Sequence, residues 1–211
     1  MEEVAFGPEY SVECVVENRR IVALFLTSKF LSSYPSCDEI GHLSGEQFAD
    51  VNLEKNVKEA VQGIIHAWNI TSAVMHVEFK ICGDEIKVIE GACRIGGDMI
   101  SSIVEMRYGV SLEECLILLR CNRDVAVAFR RYSVAGDGYY YGVNYLFHEN
   151  LRTPVPLEIE IIQVSSLAKQ DAGAGGGFGV ESRLGHRIIR SRSLEAMKSF
   201  LASVTKSDLV G

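Results

Sequence analysis

A chain of 211 residues, 47% of them hydrophobic, is long enough to bury a core, and its composition excludes collagen-like, coiled-coil and disordered proteins. The formal net charge of −7 argues against non-specific nucleic-acid binding, because a polyphosphate backbone requires a basic surface. The apolar runs at residues 21–26 and 115–119 are too short to span a membrane, and the acidic start Met-Glu-Glu is unlike a signal peptide. We therefore expect a cytoplasmic protein with no nucleic-acid or membrane partner.

Hydrophobic periodicity predicts six strands and four helices. The strands cover residues 10–16, 20–26, 73–81, 86–89, 139–147 and 157–164. Three of the helices cover residues 98–108, 111–120 and 193–204. The clearest helix begins at its cap, Asn52, and carries an apolar stripe from Leu53 to Trp68. Residues 29–45, which include Pro35 and two glycines, predict a long loop that is either disordered or functional.

The order of these elements favours an α+β fold. Strands, a helix, a hairpin, two helices, further strands and a last helix follow one another. This order lacks the regular β–α alternation of a doubly wound parallel sheet. We therefore expect a largely antiparallel sheet with packed helices.

The predicted hairpin carries the residues with the clearest chemistry. Glu78 and Glu90 lie at similar distances from the turn at Gly83, and residues equidistant from a hairpin turn face each other. Strand alternation places His76, Glu78 and Lys80 on one face. If Glu90 projects to that face, two carboxylates converge, which is unfavourable unless a cation lies between them. A hard divalent ion such as Mg²⁺ would meet that need.

Residues after the hairpin suit an anionic ligand. Arg94 lies beyond Glu90, where its planar guanidinium could bind phosphoryl oxygens. Gly96 and Gly97 let a ligand approach the backbone, and they run into a helix whose N-terminus favours an anion. An exposed hairpin with ordinary surface charges explains the same spacing equally well, so spacing alone leaves both interpretations open.

One segment, residues 171–179, is rich in glycine. Such a loop can bind phosphate through backbone N–H groups, but no Lys-Ser/Thr pair follows it and its spacing differs from Gly-x-Gly-x-x-Gly. A mobile surface loop is the favoured interpretation, and its breadth would suit a flap over a substrate.

Three spaced segments together resemble the C-terminal half of the ATP-grasp ligases. They are Gly-Pro-Glu-Tyr-Ser-Val-Glu at residues 7–13, His76-x-Glu78, and Glu90-x-x-x-Arg94-Ile-Gly-Gly-Asp98. The chain is most similar to carboxylate–amine ligases, which join amino acids into dipeptides or related amides. The similarity covers residues 2–120 and is weak beyond Tyr139. It implies an ATP-grasp C-terminal catalytic lobe over residues 1–132 and a small C-terminal subdomain over residues 133–211.

The resemblance implies how ATP would bind. Glu2, Glu3 and Ala5 would belong to a hinge whose backbone meets adenine, and Glu9 would accept the ribose hydroxyls. The family's phosphate-clamping lysines and glycine-rich loop precede this hinge. The resemblance therefore implies that the chain lacks the N-terminal ATP-grasp portion and would be inactive by itself.

The resemblance also implies the catalytic and substrate groups. Glu78 and Glu90 would hold Mg²⁺, or alternatively Mn²⁺, and Arg94 would stabilise the transferring phosphoryl group. His42 matches a substrate-contacting histidine of some relatives, although an ordinary loop histidine explains it equally well. The implied substrate contacts are His76, Gly96, Gly97 and Asp98. Ala92 departs from the family, which commonly has Asn at this position, and this favours the peptide-ligase branch or weaker metal binding.

The implied reaction joins a carboxylate to an amine. The carboxylate attacks the γ-phosphate of ATP to give an acyl phosphate, and the amine then displaces phosphate to form an amide. Amino acids are the expected substrates. The sequence leaves open whether the protein forms a homodimer. Two alternatives remain: a non-catalytic binding or assembly module with the ATP-grasp fold, and a different metal-dependent enzyme built on His76, Glu78 and Glu90.

Overall fold

The computed structural model describes residues 3–33, 37–83, 85–148, 150–166 and 183–206. Within these ranges the strands are β1 Glu9–Glu17, β2 Arg20–Leu31, β3 Glu39–Ser44, β4 Ala73–Cys82, β5 Glu85–Ala92, β6 Tyr140–Leu146, β7 Glu160–Ser166 and β8 Gly185–Ser191. The helices are α1 Val51–Ala67, α2 Ile100–Tyr108, α3 Leu112–Arg120 and α4 Leu194–Lys206, with a 3-10 helix at Val125–Arg131. Glu2 and the glycine-rich residues 171–179 lie outside the described residues.

The strands form one sheet with the order β5-β4-β1-β2-β3-β6-β8-β7. Strand β4 pairs with β1 and β5, and strand β8 pairs with β6 and β7, each time antiparallel. The predicted α+β class with a largely antiparallel sheet is confirmed.

The first of two compact units comprises Met1–Ser28 and Ser44–Asp137. Its core has two parts, because successive residues of a strand point to opposite faces of the sheet. On one face Val12, Cys14 and Val16 of β1 pack with Val57, Val61 and Ile65 of α1. On the other face Val15 packs with residues of α2 and α3. Ser11, Glu13 and Val15 occupy every second position of β1, so Ser11 and Glu13 lie on the same face of the sheet as Val15. They lie beyond the apolar part of that face.

The start of α1 corrects the predicted cap. Asp50, and not Asn52, is the N-cap: its backbone is extended and its carboxylate accepts hydrogen bonds from the N–H groups of Asn52 and Leu53 at 2.7 and 2.9 Å. Both residue types cap helices well, so composition alone did not separate them. Trp68 ends the predicted stripe but is half exposed.

Helix α2 begins two residues later than predicted. Asp98 and Met99 both have left-handed backbones, with φ of 55° and 65°, and Met99 at the N-cap position makes no side-chain cap hydrogen bond. The predicted cap at the start of α3 is confirmed, because Ser111 Oγ accepts from the N–H of Glu114 at 3.3 Å.

The second unit comprises Lys29–Leu43 and Gly138–Gly211. Its core joins Ile40 and Leu43 of β3 to Ile189 of β8 and to the apolar face of α4, which includes Met197 and Leu201. The predicted division between residues 132 and 133 stays a prediction.

The prediction of a loop over residues 29–45 is wrong, because it contains the end of β2 and the whole of β3. Gly41, taken as a loop signal, is a strand residue that lets two strands approach closely. A Cβ there would lie 2.5 Å from the carbonyl oxygen of Val143 on β6.

None of the helices in the described part of the chain combines the length and apolar character needed to cross a lipid bilayer.

Candidate metal centre

The β4–β5 hairpin places Glu78 directly opposite Glu90. The register shifts between the pairs Glu78–Glu90 and Phe79–Val88, so that Ile89 is an extra, bulged residue. Regular alternation from the pair Lys80–Lys87 would turn Glu90 to the other face of the sheet. The bulge returns Glu90 to the face of Glu78, because directly paired residues share a face. The geometric condition for convergent carboxylates is therefore met.

The two carboxylates differ in exposure, and a guanidinium lies beside the outer one. The side chain of Glu78 is 19% exposed and that of Glu90 is 57% exposed. Arg94 Nη2 lies 3.7 Å from Glu90 Oε1, and Arg94 Nη1 donates to the carbonyl oxygen of Ile95 at 3.1 Å. These groups suit a hard divalent cation and its anionic ligand, because Mg²⁺ prefers carboxylate oxygens and arginine binds phosphoryl oxygens.

A buried chain of hydrogen bonds lies behind Glu78. His76 Nε2 lies 2.9 Å from Glu78 Oε1, and His76 Nδ1 lies 2.5 Å from Oε1 of Glu13. Glu13 is fully buried and His76 is 3% exposed. Burial by itself lowers the pKa of His76, but the hydrogen bonds and charges of Glu13 and Glu78 outweigh it and raise that pKa to about 9. His76, expected to contact substrate, thus engages a carboxylate with each ring nitrogen.

Gly96 packs directly against the buried Glu13 and His76 side chains. Its N–H donates to Glu13 Oε2 at 3.1 Å, and a Cβ at Gly96 would lie 2.8 Å from both carboxylate oxygens of Glu13. Gly97 and Asp98 follow and are exposed, and apart from Gly97 and its two chain neighbours no heavy atom of the described residues lies within 4 Å of the place where a Cβ of Gly97 would stand. The turn therefore has a fixed inner residue and two outer residues that solvent reaches.

The polar face continues onto β1. Glu9 lies opposite Lys80, and its Oε2 is 3.5 Å from Lys80 Nζ. Ser11 lies opposite Glu78 and Glu13 lies opposite His76. Sequence reasoning assigned no role to Ser11, Glu13 or Lys80. Glu13 occurs in the Gly-Pro-Glu-Tyr-Ser-Val-Glu segment, which is the one signal that could have pointed to it.

The predicted hinge is exposed next to the end of β4. Glu3 and Phe6 are exposed, the latter by 75%, and Ala5 is half buried. Gly7 has a φ of +134°, and a Cβ there would lie 2.1 Å from the carbonyl oxygen of Ile81. This close contact fixes the chain just before Glu9.

His42 lies in the second unit, on β3, and not on a loop as predicted. Its side chain is fully buried and packs edge-on against Tyr145, with ring centroids 5.5 Å apart. His42 Nε2 lies 3.7 Å from Glu39 Oε2. The interpretation of His42 as an ordinary loop histidine is therefore wrong, and its predicted contact with substrate stays a prediction.

A profile of the family described as ATP-grasp domain matches residues 1–102, which include β1, β4, β5 and the turn at Gly96. Over this stretch the chain is similar to the ATP-grasp family. Glu78, Glu90 and Arg94 all lie within the matched ATP-grasp segment. A search of curated protein sequences found no match.

Solved structures share the ATP-grasp fold of this chain. Phosphoribosylglycinamide synthetase from Anaerococcus prevotii has a TM-score of 0.73 at 15% identity, over 97% of this chain and 53% of its own. L-amino acid ligase from Bacillus licheniformis has a TM-score of 0.69 at 18% identity, over 97% and 54%. N5-carboxyaminoimidazole synthase from Aspergillus clavatus, in complex with ADP and 5-aminoimidazole ribonucleotide, has 0.62 at 12%, over 96% and 52%. The chain spans about half the length of each.

Proposed function

We propose that the protein containing this chain is an ATP-dependent carboxylate–amine ligase that forms an amide bond through an acyl phosphate. The observation that carries the proposal is the pairing of Glu78 with Glu90, beside Arg94, inside an ATP-grasp segment. The names of two proteins with the same fold, an L-amino acid ligase and a phosphoribosylglycinamide synthetase, support this class of reaction.

Glu78 and Glu90 would hold Mg²⁺, and the donor set fits that ion, because both are carboxylates on one face of the hairpin and both reach solvent. Bound Mg²⁺, or Mn²⁺ in its place, would neutralise charge on the phosphate oxygens. Arg94 would stabilise the phosphoryl group during its transfer from ATP to the substrate carboxylate. The exposed backbone at Gly97 and Asp98, next to Gly96, would border the acyl phosphate when the amine attacks it.

ATP would bind along the polar face and the exposed segment that precedes it. The Glu9 carboxylate, which forms an ion pair with Lys80, would accept hydrogen bonds from the ribose hydroxyls. The backbone near Glu3 and Ala5 would contact adenine. The ADP complex of the Aspergillus clavatus protein supports a nucleotide site. We further propose that residues outside this chain complete that site, in keeping with its span of about half the similar structures. Amino acids as substrates and a cytoplasmic location complete the proposal.

The test uses the intact protein that carries this chain and measures ADP and amide formation with pairs of amino acids. Glu90→Gln and Arg94→Ala should each lower turnover at least about a hundredfold, because each removes charge from the phosphoryl-transfer site. The matched controls are Glu160→Gln and Arg190→Ala. Each removes one charged partner of an exposed ion pair that is not part of the proposed site. The controls should retain wild-type turnover.

Undiminished turnover in both Glu90→Gln and Arg94→Ala would contradict the assignment. Binding of ADP with Mg²⁺ but no amide with any tested pair would favour the non-catalytic module instead.

A further inference from the structure

Glu13 is a fully buried carboxylate with both oxygens engaged. Oε1 faces His76 Nδ1 and Oε2 accepts from the Gly96 N–H. A buried carboxylate is costly unless it is paired and hydrogen-bonded. The two partners of Glu13 lie in different segments, 20 residues apart in sequence (76 to 96), and each segment carries groups of the proposed site. Glu13 thus joins the β4 strand to the turn that follows Arg94.

His76 extends this link to Glu78. Each of its ring nitrogens faces a carboxylate oxygen, and ionised carboxylates only accept, so both nitrogens donate. A hydrogen bond from the buried His76 ring fixes the direction of the Glu78 carboxylate. Without this bond the Glu78 side chain could adopt other rotamers.

We propose that Glu13 and His76 are positioning residues of the metal centre: they hold the Glu78 carboxylate and the Gly96 turn in fixed relation to each other. The inference rests on the proposed function, since it takes Glu78 as a metal ligand. Hydrogen-bonding partners of metal ligands typically contribute 10–100-fold to metal affinity or activity. A merely structural pair would leave metal affinity unchanged once the protein is folded.

Two variants separate the contact with Glu78 from the charge of Glu13. In Glu13→Gln the amide oxygen accepts from Gly96 N–H and the amide nitrogen donates to His76 Nδ1, so His76 still donates to Glu78. The double variant Glu13→Gln with His76→Phe keeps the Gly96 contact but removes the donor to Glu78. It also leaves no unpaired buried charge, which protects the fold.

The first measurement is Mn²⁺ binding to the intact protein in the presence of ADP, by water-proton relaxation. The second is the Mg²⁺ concentration dependence of ADP formation from ATP. We expect the double variant to weaken Mn²⁺ binding about 10–100-fold and to raise the half-saturating Mg²⁺ concentration in parallel. The single variant should change either value less than about tenfold. Glu46→Gln is the control, because Glu46 is a part-buried carboxylate whose Oε2 accepts from Ser28 Oγ at 2.5 Å. It should change neither value more than about twofold.

A folded double variant with wild-type Mn²⁺ affinity would overturn the proposal. If the double variant does not fold, Gly96→Ala decides, because its methyl group would stand 2.8 Å from both Glu13 oxygens and displace that carboxylate. A tenfold or larger loss of Mn²⁺ affinity in Gly96→Ala would support the proposal, and wild-type affinity would overturn it.

Glu78→Gln separates this inference from the proposed function. Loss of Mn²⁺ binding in Glu78→Gln, with wild-type binding in the double variant, would overturn the positioning role alone. Absence of ADP-dependent Mn²⁺ binding in the wild-type protein would overturn the proposed function and this inference together.

Discussion

At the scale of single residues, the space around a missing Cβ separates the glycines of this chain into two kinds. Gly109 ends α2 with a left-handed backbone, φ of +72°, and a Cβ there would lie 2.6 Å from the carbonyl oxygen of Arg131. Gly63 lies within α1, and apart from its chain neighbours and the helix's own backbone no heavy atom in the described part of the chain lies within 4 Å of the place where its Cβ would stand. The first glycine is required by backbone conformation and packing, whereas the second only raises the entropy of the unfolded chain.

Alanine at these two glycines should change stability in opposite directions. Gly109→Ala should lower the free energy of unfolding by about 1–3 kcal/mol, because it combines an unfavourable φ with a close contact. Gly63→Ala should raise it by about 0.5–1 kcal/mol, because alanine favours the interior of a helix. Urea denaturation of both variants beside wild type measures the effect, and each serves as the other's control. Loss of stability in Gly63→Ala would contradict the described helix.

At the scale of elements, local patterns were predictable and distant pairings were not. The predicted β4–β5 hairpin is confirmed. It was predictable because strand alternation and a turn at Gly83 are properties of adjacent residues. Strand β3 was missed because the reason for Gly41 is contact with Val143, about a hundred residues away.

The candidate site shows the same limit. Hairpin symmetry led to Glu78 and Glu90, but the bulge at Ile89 that brings them to one face left no sequence signal. The link from Glu13 to His76 joins residues 63 positions apart, so it depends on how β1 pairs with β4. Neither the pairing partner nor the register of a distant strand follows from the composition of one strand.

The cap of α1 gives a direct test of an element boundary. Asp50→Ala should lower the free energy of unfolding by about 0.5–2 kcal/mol, because it removes the acceptor for two N–H groups of the first turn. Asn52→Ala should change it by less than about 0.5 kcal/mol, because the Asn52 side chain does not cap the helix. Thermal and urea unfolding of the two variants measure the difference. An equal loss in both would contradict the assignment of Asp50 as the cap.

At the scale of the whole molecule, the fold extends further than the sequence likeness. The family profile matches residues 1–102, and the similarity noted in the sequence fades beyond Tyr139. The structural match nevertheless covers 97% of the chain at identities of 15% and 18%. The core of the second unit consists of aliphatic side chains such as Ile40, Leu43 and Leu201, together with Phe200. Other apolar residues of similar volume fill such a core, so the fold persists while the sequence diverges.

Two buried thiols report on the integrity of the first unit. Cys14 belongs to the apolar cluster with α1, and Cys115 belongs to the cluster with α2 and α3. Burial raises the pKa of the Cys14 thiol to about 12, with a contribution from the charge of Glu13. Burial also raises the pKa of Cys115 to about 11. Cys37, Cys93 and Cys121 are exposed. Iodoacetamide should therefore modify the exposed thiols first and reach the two buried ones only after the unit unfolds.

The same two thiols should make the first unit less stable in alkali. The unfolded thiols ionise near pH 9.0, whereas the folded ones stay protonated above it, so the unfolded state binds fewer protons as pH rises. Their contribution to stability is fully present below pH 9 and is lost above it, by about 1 kcal/mol for each thiol at pH 10. Urea denaturation at pH 8 and pH 10 measures the loss, which Cys14→Ala and Cys115→Ala should each reduce. Cys93→Ala, at an exposed position, should retain the full wild-type loss. An equal loss in all three variants would show that other groups cause the alkaline destabilisation.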